Sequence, residues 1–132
     1  MSGPSARTSG AEVDAGLAAK PATLVVHAMS DSFGDLWPTL AAEVGLAFER
    51  TTRVPKGVDP TRTVVLLAAG GEEAALARAA RELRADGEVM FAAIAGEAGH
   101  RLAAAVIRAG ADQLFVIPED LDLLRTWMQE AA

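Results

Sequence analysis

The chain has no cysteine, which excludes disulfides and thiolate metal sites. Aromatic residues make up only 5% of it, so a core must come from aliphatic side chains and alanine packed closely. Basic residues are the minority: Lys and Arg total 12 against 18 Asp and Glu, a formal net charge of −6. A general nucleic-acid-binding surface needs a basic patch, so no direct nucleic-acid contact is expected. No apolar run approaches the ~20 residues that cross a bilayer. The opening MSGPSARTSG has no apolar core and does not read as a secretory leader. A cytoplasmic protein without membrane contact is the default expectation.

What is present is enough for one domain. Of 132 residues, 51% are hydrophobic, sufficient for a sizeable core. Residues 1–21, rich in Ser, Gly, Pro and Ala without periodicity, read as a flexible N-terminal tail, leaving 22–132 as the domain. Four apolar runs follow at 23–28 (TLVVHA), 63–69 (TVVLLAA), 89–95 (VMFAAIA) and 113–117 (QLFVI). They do not alternate, as expected of parallel strands buried on both faces. A more polar run, 47–52 (AFERTT), alternates and suits an edge strand.

Helical patterns lie between them. Leu76, Ala79, Ala80 and Leu83 form one stripe within 72–85. Leu102, Ala105, Val106 and Ala109 form another within 97–109, and Leu121, Leu124 and Met128 a third within 119–131. Before the second strand, Asp35 would cap a helix with Pro38 in its first turn. The order implies a doubly wound α/β sandwich around a five-stranded parallel sheet. One crossover is anomalous. RVPKGVDPTR, residues 53–62, carries two prolines and a glycine and cannot hold a regular helix. About ten extended residues span up to ~33 Å, enough to cross the sheet without one.

The stretch 108–118, RAGADQLFVIP, reads as a helix end, a glycine stop, a buried strand and a proline. It resembles the segment of bacterial response-regulator receiver domains in which an AGAD-like turn leads into a strand ending in Lys-Pro. The resemblance extends over residues 23–131. It implies the flavodoxin-like strand order 2-1-3-4-5 and ligand chemistry at the carboxyl ends of the strands. It also implies an acidic pair for Mg²⁺, an aspartate acceptor, a hydroxyl residue and a lysine. Matched position by position, the acidic pair falls on His27 and Ala28, the acceptor on Ala68, the hydroxyl on Ala95 and the lysine on Ile117. The aromatic switch position falls on Leu114. The chain is therefore identified as a degenerate receiver, a pseudo-receiver. Mg²⁺ requires oxygen ligands and phosphorylation an oxygen nucleophile, and these positions supply neither. No catalytic residue, metal or cofactor is expected, and the chain is not read as an enzyme. Asp31, the nearest acid, is a candidate for a residual role, with helix capping or solvation as the plainer alternative.

Other features admit two readings each. Gly70-Gly71 before a helix suits an anion site, but Glu72 and Glu73 oppose one and favour a plain turn. His27 is a pH sensor or a partly exposed filler; His100 is expected in solvent. A corner vacated by Ala28, Ala68, Ala95 and Ile117 is either a small apolar ligand site or collapsed core. On the last two helices and the strand between them, Ala103, Ile107, Phe115, Leu123 and Trp127 exceed what one buried stripe needs. Receivers commonly pair through this face. The resemblance thus implies a homodimer, or control of an output domain such as that of a bacterial transcription regulator, by protein–protein contact. The rival readings are a small-ligand sensor and an enzyme of the same topology.

Overall fold

The chain is described by a computed structural model over residues 23–131, and the expected tail lies outside the described residues. Its strands are β1 (Thr23–Ala28), β2 (Ala47–Thr51), β3 (Thr63–Ala68), β4 (Met90–Ala95) and β5 (Gln113–Val116). All pair in parallel, in the order β2-β1-β3-β4-β5. Three of the four continuous apolar runs become the inner strands β1, β3 and β4, and the fourth becomes β5 at the other edge. Every residue of β3 is buried, because layers of helix cover both of its faces and strands flank both of its sides. The alternating run becomes edge strand β2, as its polarity requires.

The pleat sends alternate residues to opposite faces. Leu24, Val26, Val64, Leu66, Ala68, Ala92, Ile94, Phe115 and Ile117 face one layer, made by α1 (Leu36–Val44) and α4 (Leu121–Ala131). Val25, Val65, Leu67, Ala69, Phe91, Ala93 and Ala95 face the other, made by α2 (Leu76–Asp86) and α3 (His100–Arg108). The stripes read from sequence are those buried: Leu76, Ala80, Leu83, Val106, Leu124 and Met128 are fully enclosed. Asp35 occupies the N-cap position of α1 but makes no side-chain cap bond, so its predicted capping role is not realised. Pro38 does sit in the first turn. Gly45, at φ 79°, closes the helix in the left-handed region that glycine tolerates. Trp37 on α1 is the largest enclosed side chain, and periodicity had assigned it no place.

The crossover from β2 to β3 contains no helix. Val54 and Val58 of this segment pack on the α2/α3 side of the core. The Gly57 N–H donates to Asp86 Oδ2 at 2.8 Å, and Lys56 stands 3.8 Å from Glu82. Two valines and two tethers to α2 thus stand where a helix would lie.

The RAGAD turn has a physical explanation. Gly110 has φ 119°, and a Cβ there would lie 2.8 Å from Arg84 Cβ and Cγ. The absent side chain lets Arg84 settle over the turn. Its Nε and Nη2 donate to the Gly110 carbonyl at 3.1 and 2.7 Å, and Nη1 donates to Val89 O at 3.1 Å and Gly87 O at 3.3 Å. Its guanidinium also lies 4.8 Å from the Phe91 ring centre. Asp112 accepts the Phe91 N–H at 2.9 Å. One arginine on α2 thereby fastens the starts of β4 and β5 to the end of α3. Replacing Arg84 by Ala leaves these carbonyls to water and should lower unfolding free energy by about 2–3 kcal/mol in urea. An Arg84→Ala loss below about 0.5 kcal/mol would show the knot to be incidental.

Candidate functional site

The positions matched to receiver chemistry lie at the carboxyl ends of the strands but do not converge. Ala28 pairs beside Ala68, and both face the α1/α4 layer together with Ile117. Ala95 belongs to the opposite layer. His27, one residue before Ala28, points away from it by the same alternation. Its Nδ1 lies 3.3 Å from the Thr51 carbonyl, and its ring lines a shallow hollow with Met29, Val54 and Arg78. The predicted apolar crevice lined by Ala28, Ala68, Ala95 and Ile117 is therefore corrected. Ala68 and Ala95 are fully buried, and the sheet separates them.

The loop after β1 closes the corner. Ser30 and Ser32 Oγ both donate to the Gly70 carbonyl, at 2.6 and 2.9 Å. The approach requires glycine: a Cβ on Gly70 would meet Ser32 Cβ at 2.8 Å and the Phe33 ring at 2.9 Å. Phe33 packs against the cluster containing Ala28 and Ala68 and meets Trp37 edge-on, ring centres 5.3 Å apart. Beside this plug is an open cleft of about 560 Å³, lined by Phe33, Leu36, Ile117, Pro118 and Leu121 with Ser32 and three glycines. Of the matched positions, only Ile117 reaches it.

The Gly70-Gly71 segment is the tight turn expected as the plainer reading. Glu72 N–H donates to Ala69 O at 2.6 Å, with Gly71 at φ 86°. This is the signature of a type II turn. Sequence reasoning missed the next residue. Glu73 opens a short 3₁₀ turn (Glu73–Ala75), and its Oε2 accepts the Gly96 N–H of the loop after β4 at 2.9 Å. Burial pushes this carboxyl up, but backbone N–H groups of Glu73 itself, Gly96, Gly71 and Glu97 outweigh it. They hold it below the usual carboxylate range.

Asp31 is exposed and 3.7 Å from Arg50, which is the solvated alternative. His100 is exposed at the start of α3. Leu114, at the switch position, packs half-buried on the α2/α3 side. The surplus on the last two helices divides. Ile107 is 46% and Leu123 62% exposed, whereas Phe115 is only 6% exposed. Phe115 is thereby corrected from surface candidate to core, because β5 turns it toward α4. Trp127 is half-buried against that core, 6.0 Å from the Phe115 ring, and Ala103 is half-buried. Among the described residues, no group of three or more His, Asp or Glu side chains is placed to hold a metal ion. No helix there is long and apolar enough to cross a membrane.

No protein-family model and no curated relative matches the sequence. Solved structures do match. A two-component response regulator from Clostridium difficile superposes with TM-score 0.67 at 8% identity, covering 83% of this chain and 94% of that one. A response regulator from Thermotoga maritima gives 0.62 at 16% identity, covering 84% and 97%. An orphan response regulator of H. pylori gives 0.56 at 10%, covering 86% and 98%. This chain has the receiver fold. Within it, Ala28 and Ala68 offer no side-chain oxygen, so the residues present do not fit the Mg²⁺ that receivers hold there. Incubation with acetyl phosphate or phosphoramidate should leave the intact mass unchanged. A single added phosphoryl group on an aspartate would refute this, with Asp31 the first residue to test.

Proposed function

We propose that this receiver-fold domain is a pseudo-receiver that works by protein–protein contact, without phosphorylation and without enzymatic activity. The observation that carries the reading is Ala68. Matched to the acceptor position, it has no nucleophilic atom and is fully buried, in the cluster against which Phe33 of the β1–α1 loop packs. A domain that has lost acceptor, acid pair, hydroxyl and lysine together retains its scaffold and its surfaces as working parts. In a cytoplasmic setting the natural role is that of a regulatory module, pairing with itself or governing an output domain, such as that of a transcription regulator.

The surface favoured for pairing is the α3-β5-α4 face. Ile107 and Leu123 are large apolar side chains left in solvent there, and Phe115, Leu123 and Trp127 share a shallow groove of about 260 Å³ with Gln113, Thr126 and Glu130. Apolar surface of this kind on a soluble domain calls for a partner. A second copy, joined about a two-fold axis, would cover each patch with its twin. The small-ligand reading survives only in altered form, moved from the alanine corner to the cleft beside Phe33 and Ile117. An uncharged, largely apolar molecule would suit its lining.

Sedimentation of the wild-type chain and of Leu123→Arg tests the pairing. The wild type should associate, and the variant should weaken association at least tenfold, about 1.4 kcal/mol. Its melting temperature as a monomer should stay unchanged, because Leu123 is largely outside the core. Trp127→Ala should also weaken association, and its half-buried ring should bring some loss of monomer stability as well. A wild type that remains monomeric at high concentration would remove the homodimer.

A further inference from the structure

The Glu73 carboxylate belongs to the turn after β3 but takes a hydrogen bond from the loop after β4. The two loops leave adjacent strands, since Ala68 pairs with Ile94. Open α/β sheets present ligands at this edge, where successive loops diverge and leave backbone N–H groups unpaired. Here the Gly96 N–H donates to one carboxylate of the chain itself, Glu73 Oε2, at 2.9 Å, and the backbone N–H groups of Gly71, Glu73 and Glu97 also favour its charged form. The Gly96 backbone lies close against this carboxylate and the preceding turn: a Cβ built there would be in ordinary contact with Oε2 at 3.5 Å and with Gly70 Cα at 3.9 Å. The loop so held runs to Gly99, the N-cap residue of α3.

We infer that Glu73 is an internal anion latch, its carboxylate accepting the Gly96 N–H across the gap between the β3–α2 turn and the β4–α3 loop and holding the two together without an external anion. A charged acceptor makes a stronger N–H hydrogen bond than a neutral one. A side chain tethered within its own turn also competes at high effective concentration against free anions. The latch therefore fixes the entry of α3 in a single arrangement and keeps phosphate out.

Amide hydrogen exchange on the full chain tests it. In Glu73→Ala, exchange at Gly96 and Glu97 should accelerate about tenfold or more. Amides of β3 and β4 should keep their protection, which separates release of the loop from unfolding. Glu73→Gln keeps the shape and one acceptor oxygen, so its acceleration should be intermediate. Inorganic phosphate at millimolar concentration should leave the wild-type amide resonances of Gly71 and Gly96 in place. Unchanged exchange at Gly96 in both variants would overturn the latch. So would wild-type resonances of Gly71 and Gly96 that move with phosphate, because the Gly96 N–H would then be open to an external anion. Neither result depends on whether the α3-β5-α4 face binds a partner.

Discussion

The rest of the molecule depends on β3 being buried on every side. Each of its six residues is enclosed, so each must be apolar or fully hydrogen-bonded. That condition places β1 and β4 on its flanks and a helical layer over each face. It also governs what can stand at the strand's end. A carboxylate there is tolerable only where water, a cation or several donors reach it. Here that end is closed, with Ala68 fully buried in the cluster that Phe33 packs against and the loop drawn down on Gly70 by two serine hydroxyls. An alanine at this strand end and a closed loop are mutually consistent, since an apolar side chain needs neither water nor a cation to reach it.

The architecture was legible because its signals are local. Runs such as TVVLLA and MFAAIA have the length and continuity of doubly buried strands, and RVPKGVDPTR carries its own helix breakers. The strand order came through a resemblance lodged mainly in one turn. What could not be read was the meeting of distant side chains. Arg84 reaches Gly110 across 26 residues, and nothing in either segment announces the other. Glu73 reaches Gly96 across 23, and from sequence it looked like one of two charges opposing an anion at a glycine turn. In the structure it is the anion. Trp37 went unplaced and Phe115 was misjudged for a related reason. Whether an aromatic side chain faces the core depends on how its helix or edge strand is rotated against the sheet, and one residue of phase decides it.

At the alanine corner, the collapsed-core alternative is the one the structure matches. His27, Ala28, Ala68, Ala95 and Ile117 all lie at or beside the carboxyl ends of strands. The pleat divides them between two faces, so their small side chains do not add up to one cavity. The available cleft lies instead toward α1 and α4, where Leu36, Pro118 and Leu121 provide walls that no matched position supplies.

This division bears on whether the chemistry is one substitution from return. An aspartate at position 68 would share the α1/α4 side with Ala28, Ile117 and the Phe33 ring, none of which offers a charge or a donor from its side chain. The serine hydroxyls nearby already donate to Gly70 O. The Gly96 N–H after β4 is taken by Glu73. Such a carboxylate would be desolvated without compensation and would stay protonated or force the loop open. An ionised carboxylate at position 68 would therefore need a cation or donors beside it and a loop moved off Gly70 at once. The constraint lies in the packing around β3, beyond the identity of any single residue.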